Sequence, residues 1–153
     1  MLEGKTILGV IPARGGSRRM PFKNITLFRG KALIQWAIEH AEGSKYIDRI
    51  VVSTEDQAIA LHAGKYFLER PAFLAEDRVP TEAVLVHVLH QVTDYDFAVL
   101  LQPTSPLRSV EDIDRCIETA VTNDGVNNLT GCVSYNEYGK RNGAVFVCNV
   151  RHF

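Results

Sequence analysis

The chain has no surplus of charge. Seventeen Lys and Arg stand against eighteen Asp and Glu, a formal net charge of -1 over 153 residues. That balance argues against nucleic acid or a membrane surface as partner, since both select broad cationic surfaces. Cysteine is scarce too. Cys116, Cys132 and Cys148 are odd in number, widely spaced and without a Cys-x-x-Cys pair or a His at metal spacing, so reduced, partly buried thiols are expected rather than disulfides or a zinc site. No apolar run approaches transmembrane length, and the N-terminal MLEGKTILGVIPARGG is too short in its apolar part for a signal peptide. A cytoplasmic protein is expected. Pro-rich, Gly/Ser-rich and acidic tracts are also missing. With 46% hydrophobic and 23% charged residues, an ordinary globular chain forming one domain over 1–153 is expected.

Against this even background, residues 11–24, IPARGGSRRMPFKN, concentrate the chemistry. An apolar run at 6–11 leads into Pro12, two adjacent glycines, and the cations Arg14, Arg18, Arg19 and Lys23. Gly15 and Gly16 let the backbone turn its N–H groups toward a ligand, and clustered Arg and Lys neutralise phosphate oxygens. The stretch reads as a nucleotide triphosphate cradle, with a solvated basic loop as the alternative. It is neither a P-loop nor a dinucleotide fingerprint, because Gly-x-x-x-x-Gly-Lys-Ser/Thr and Gly-x-Gly-x-x-Gly are both absent.

Along the chain, continuous apolar runs at 6–11, 49–54 and 97–101 predict strands buried on both faces of a parallel sheet, with a shorter segment at 25–28 before a turn at Arg29-Gly30. Helical spacing follows in Leu33, Ile34, Ala37, Ile38 and Ala41, stopped by Gly43-Ser44. A second helix is predicted over 55–65, with Thr54 and Gln57 as its capping box, and a third from Glu82, capped by Thr81. Ser109 and Asp112 form a capping box for a fourth, which carries Val110, Ile113, Ile117, Ala120 and Val121 on one face. His87 and His90 have no third ligand and read as packing or surface residues. Asp112 and Asp114 resemble a metal pair but are better read as complements to the helix dipole. Two further strands are predicted at 129–135 and 144–150, around a polar loop. The alternation predicts an open, mostly parallel α/β sheet whose ligands bind beyond the C-terminal strand ends, where both the cationic loop and Gln102-Pro103-Thr104-Ser105-Pro106 lie.

IPARGGSRRMPFKNI, VVSTED, ERPAFLAED, LLQPTSPLRS and RNGAVFV, in this order, resemble the acylneuraminate cytidylyltransferases, the CMP-sialic acid synthetases. The resemblance implies a Rossmann-like, three-layer nucleotidyltransferase fold. It implies an enzyme that joins CTP to a nonulosonic (sialic-type) acid, with Mg2+ as cofactor. The nucleotide-binding set it implies is Ala13, Arg14, Gly15, Gly16, Ser17, Arg18, Lys23, Asn24, Arg70 and Thr81, of which Arg14 and Lys23 are the catalytic candidates. Gln102, Thr104, Ser105 and Arg141 would serve the sugar, with Arg108 completing the Gln102 motif. Arg18 stands where the family commonly has Lys. Arg70 and the Gln102 motif have bland readings too, as a surface cation and a Pro-rich turn.

Two departures accompany the likeness. In the family a longer segment, reaching across a homodimer interface, separates the equivalents of Tyr135 and Arg141, and Arg141 lacks the usual Pro after it. The family's Asp-x-Asp metal pair lies beyond the equivalent of Val150, so no metal ligand is assigned. Two alternatives therefore accompany turnover of a sialic-type acid. One is a shortened nucleotide-binding protein without catalysis. The other is a keto-deoxyoctulosonate cytidylyltransferase, disfavoured because those enzymes tend to carry an aspartate where Gln102-Pro103 stands.

Overall fold

The computed structural model describes residues 1–16, 20–123, 131–135 and 141–152, with the backbone alone at 131–135, 141, 142 and 152. Its centre is strand β1 (Ile7–Pro12), in which Ile7, Leu8, Val10 and Ile11 are fully buried. On one side β1 pairs in parallel with β4 (Arg49–Thr54), setting Leu8 opposite Arg49 and Pro12 opposite Ser53. On the other it pairs in parallel with β6 (Phe97–Leu100), setting Ile7 opposite Phe97 and Val10 opposite Leu100. Strand β5 (Phe67–Glu69) extends the sheet in parallel beyond β4. Beyond β6 lie β8 (Arg141–Asn149) and β7 (Gly131–Tyr135), both antiparallel to their neighbours, giving the order β5-β4-β1-β6-β8-β7.

Strand alternation divides the apolar residues between two faces. Ile7, Ile11, Val52, Phe97 and Val99 pack with helices α1 (Leu33–Gly43), α2 (Gln57–Ala63) and α4 (Val110–Thr122) through Ile34, Ala37, Ile59, Ile113 and Ile117. Leu8, Val10, Val51, Ala98 and Cys148 pack on the opposite face with Leu85 and Val88 of α3 (Thr81–Gln91). The result is the expected three-layer, mostly parallel Rossmann-like arrangement. Cys116 and Cys148 are buried thiols. Burial pushes Cys148 up to about 12, against a hydrogen bond to the Ala98 carbonyl. Among the described residues no helix is long and apolar enough to cross a membrane.

Several expected details are corrected. The cap of α2 is Asp56, whose Oδ1 accepts the Ile59 N–H at 3.0 Å, while Thr54 still belongs to β4 and accepts the N–H of Asp56. Helix α3 opens after extended Pro80 with no side-chain cap, so Thr81 is its first helical residue rather than its cap. Ser109 does cap α4, accepting the Asp112 N–H at 3.0 Å. Asp114 is not a first-turn dipole partner: buried in the next turn, it accepts the Ser44 hydroxyl at 2.6 Å and the Lys45 N–H at 3.2 Å, fastening the end of α1 to α4. The segment at 25–28 splits into a 3-10 turn, Lys23–Ile25, and β2 (Leu27–Phe28), which pairs with β3 (Lys31–Ala32). Arg29 and Gly30 between them both have positive φ, 50° and 80°, as a tight hairpin turn requires. Strand β8 starts three residues earlier than expected, taking in Gly143 at φ 66°, and residues 129–130 of the predicted strand lie outside the described residues.

The N-terminal end of β1 is held by two carboxylates. Asp48 accepts the Ile7 N–H at 2.8 Å, and Asp96 accepts both the N–H and the hydroxyl of Thr6, at 3.0 and 3.1 Å. The Thr6 N–H bond holds Asp96 below its ordinary 3.8, against burial, with Thr6 hydroxyl, Lys5 and Arg151 assisting. A depressed carboxylate contributes stability above its unfolded value and loses it as pH falls through the folded one. Asp96→Asn is therefore expected to be less stable than wild type at neutral pH. In urea unfolding the two curves should converge as pH falls below 3.8; a gap that is constant with pH would sink this role.

Candidate active site

Beyond β1 the chain keeps its hold on β4 for one more residue, as buried Ala13 donates its N–H to the Ser53 carbonyl at 3.0 Å. The loop then turns away at Arg14, Gly15 and Gly16. The Gly15 N–H donates to Glu55 Oε1 at 2.7 Å. A Cβ on Gly15 would stand 2.5 Å from Asp56 Oδ2 and 2.7 Å from Asp56 Cβ, so only glycine permits this approach of the loop to the start of α2. The far limb returns at Asn24, 4% exposed, whose side-chain amide donates to the Arg14 carbonyl at 2.9 Å. Asn24 thus ties the loop's two ends together, a task beyond the nucleotide contact expected of it. Ser17, Arg18 and Arg19 lie outside the described residues.

Arg70 is not a surface cation. It is 4% exposed, its backbone N–H donates to the Thr54 carbonyl, and its guanidinium donates to Ser53 Oγ at 3.1 Å and the Ser53 carbonyl at 2.7 Å. Burial lowers its pKa, opposed by Glu55 and aided by Arg14. Arg14 reaches across to the end of the 3-10 turn Ala72–Ala75 and the residues after it, donating to the Ala75 carbonyl at 3.3 Å and to Asp77 at 2.6 Å.

After β6 the chain turns sharply. The Gln102 carbonyl accepts the Ser105 N–H, and the Ser105 carbonyl accepts the Arg108 N–H. The Arg108 side chain is 6% exposed and folds back under this turn, donating from Nη2 to the Gln102 carbonyl at 3.3 Å and from Nη1 to the Ala144 carbonyl. Burial lowers it to about 10.

These elements enclose a cleft of about 180 Å³ between the C-terminal ends of β1 and β6, where the sheet order reverses. Arg14, Lys23, Asn24, Arg70, Thr81, Gln102 and Thr104, named from sequence, line it together. Pro12, Leu74, Glu76, Asp77, Val79 and Val84 complete it. Ala13, Gly15, Gly16 and Ser105 are not among its walls; Ala13, Gly15 and Ser105 act on it through the backbone hydrogen bonds above. Arg141 contributes a backbone position at the start of β8, its side chain outside the description. Sequence reading missed Glu55, Asp56 and Asp77 as builders of the site, although VVSTED and ERPAFLAED contain them; the missing signal was pairing, since only the fold brings Glu55 to Gly15 and Asp77 to Arg14.

The profile of the cytidylyltransferase family matches residues 8–147. The chain belongs to that family. It is similar to N-acylneuraminate cytidylyltransferase of Escherichia coli O18:K1:H7, at 30% identity over 96% of the chain and 43% of that protein. It is also similar to CMP-N,N'-diacetyllegionaminic acid synthase of Legionella pneumophila, at 40% identity over 73% of the chain and 52% of that protein. Among solved structures, CMP:2-keto-3-deoxy-manno-octonic acid synthetase complexed with CTP matches with a TM-score of 0.69 and 26% identity, over 79% of this chain and 49% of that one. The chain spans about half the length of the relatives it matches.

Gly15→Ala tests the contact with Asp56. If the loop serves CTP as the resemblance implies, the variant is expected to fold but to bind CTP about tenfold more weakly in calorimetry, because the added methyl pushes the loop off α2. Unchanged CTP affinity would show that the cradle tolerates this displacement.

Proposed function

We propose that this chain is a cytidylyltransferase that transfers CMP from CTP to a sialic-type 2-keto sugar acid and releases pyrophosphate. The observation that carries the reading is the convergence of Arg14, Lys23 and Arg70 with Gln102 and Thr104 on one cleft at the reversal of strand order. The three cations suit a polyanion, and the amide and hydroxyl groups of Gln102 and Thr104 suit a polyhydroxylated acid. Relatives named for sialic, legionaminic and keto-deoxyoctonic acids support the acceptor class.

In the reaction, the anomeric hydroxyl of the sugar acid forms a bond to the α-phosphorus of CTP, and the bond from that phosphorus to the bridging oxygen of the β-phosphate breaks. Pyrophosphate leaves with the bonding pair, and the hydroxyl proton passes to solvent. Arg14 and Lys23 neutralise charge on the phosphate oxygens, so most of the rate comes from positioning and electrostatics. Arg70 and Thr81 face the nucleotide, and Gln102, Thr104, Ser105 and Arg141 serve the sugar side. A divalent ion, Mg2+ by family expectation, would accompany the triphosphate. The described residues do not gather a ligand set for it: no cluster of three His, Cys, Asp or Glu is present among them, and the cleft's two carboxylates are paired, Glu76 with Arg78 and Asp77 with Arg14. No step is assigned to it.

At about 180 Å³ the cleft is below the roughly 300–1,000 Å³ usual for small-molecule sites. Nucleotide entry in this reading parts Arg14 from Asp77 and draws back the 72–80 segment.

Incubation with CTP, Mg2+ and N-acetylneuraminate, legionaminate or keto-deoxyoctulosonate should release pyrophosphate, fastest with a nine-carbon acid. No release with any of them, alongside calorimetric binding of CTP, would reassign the chain to nucleotide binding without turnover. Lys23→Ala should weaken CTP binding by about 1.5–3 kcal/mol, the worth of a charge-assisted hydrogen bond; unchanged affinity would return Lys23 to a solvated loop.

A further inference from the structure

Strands β6 and β8 pair in antiparallel register from Phe97 opposite Asn149 to Leu100 opposite Phe146. Continued two residues further, the same register would place Gln102 opposite Ala144. The ladder does not reach that rung. In its place the guanidinium of Arg108 lies between the strands, with one terminal nitrogen on the Gln102 carbonyl and the other on the Ala144 carbonyl. Two acceptors that a continuing ladder would have satisfied with backbone N–H groups are held by a single planar fork.

The choice of side chain is informative. Arg108 is 6% exposed, no carboxylate pairs with it among the described residues, and its Nε is buried without a hydrogen-bond partner. A buried cation satisfied only by carbonyls is a costly way to close a sheet, and neutral donors could tie two carbonyls with less desolvation. What the guanidinium adds is geometry, because its donors are coplanar and fixed relative to each other, so it sets how far apart the two strands stand as they diverge. The two segments it separates matter. Gln102 lines the cleft, and Ala144 follows directly on Arg141-Asn142-Gly143, with Gly143 in the left-handed conformation at φ 66°.

We propose that Arg108 is a positioning residue for the acceptor: it sets the separation of β6 and β8 at the cleft and so fixes the spacing between Gln102 and the start of β8, where the reading above assigns Arg141 to the sugar acid. The inference rests on the cytidylyltransferase reading above and deepens its sugar half. The nucleotide half of that reading is built on other elements, the β1 loop, Arg70 and the start of α3, and among the described residues Arg108 donates its side-chain hydrogen bonds elsewhere, to Gln102 and Ala144.

Arg108→Lys tests this, since lysine keeps the charge and loses the fork. In steady-state assays with CTP and the sugar acid, the variant is expected to raise KM for the sugar acid about tenfold or more while KM for CTP moves less than about twofold. In a Gln102→Ala background the same change should add little, because Arg108 acts through the placement of Gln102. Equal shifts in both KM values, wild-type kinetics in Arg108→Lys, or full additivity with Gln102→Ala would each overturn the proposal. If neither Arg108→Lys nor Arg108→Gln folds by circular dichroism, Arg108 belongs to the architecture alone and the proposal falls. Wild-type turnover is the separate control. Its absence removes the enzymatic reading itself, whereas turnover with an unsplit KM response removes only the role of Arg108.

Discussion

The arrangement depends on β1 being paired in parallel on both sides, with β4 to its left in the order and β6 to its right. Such a strand is shielded on both edges and both faces, so its side chains are free to be wholly apolar, and its chemistry is displaced to its ends. At the lower end Asp48 and Asp96 accept the N–H groups of Ile7 and Thr6, which fixes where the strand begins. At the upper end the loops after β1 and β6 leave in opposite directions, and the crevice between them is available to a ligand. The position of Arg14 and Gln102 on facing walls follows from that topology.

The cleft's two halves are held by opposite chemistries. On the β1 side a carboxylate, Glu55, accepts a backbone N–H from Gly15, and Asn24 ties the returning limb to Arg14. On the other side a cation donates to backbone carbonyls. In both places a charged side chain from elsewhere in the sequence satisfies main-chain groups that leave the sheet, which lets irregular backbone stand at a buried edge without unmet hydrogen bonds.

Much of the fold was legible because burial on two faces demands unbroken apolar runs, and 6–11, 49–54 and 97–101 became β1, β4 and β6. The helix faces were equally plain: Ile34, Ala37, Ile38 and Ala41 are all buried in α1. Three-residue β5 was invisible, since an edge strand with Phe67 and Glu69 exposed has no pattern to show. The cap of α2 was misplaced because Thr and Asp are interchangeable in sequence until the backbone shows which residue is still extended, and that of α3 because extended Pro80 already precedes the helix and leaves Thr81 as its first residue. Glycine and asparagine at 142–143 suggested a loop where β8 continues. In the site, Arg14, Lys23, Asn24, Arg70, Thr81, Gln102 and Thr104 line one cleft, but the contacts of Asp77 with Arg14, Glu55 with Gly15 and Arg108 with Ala144 link positions tens of residues apart, and no local rule carries that information.

The bond between Arg14 and Asp77 means that the cleft already contains an anion of its own. A ligand with a single phosphate group exchanges one negative neighbour of Arg14 for another and gains little by it. In the proposed reading a triphosphate would bring further charge for Lys23 and Arg70 once Arg14 is satisfied, so its advantage would grow with each phosphate group. The internal carboxylate therefore works as a threshold on charge. In the reaction proposed above the threshold would have a direction: CTP lies above it, and the CMP-sugar, left with one of the three phosphates, lies below it.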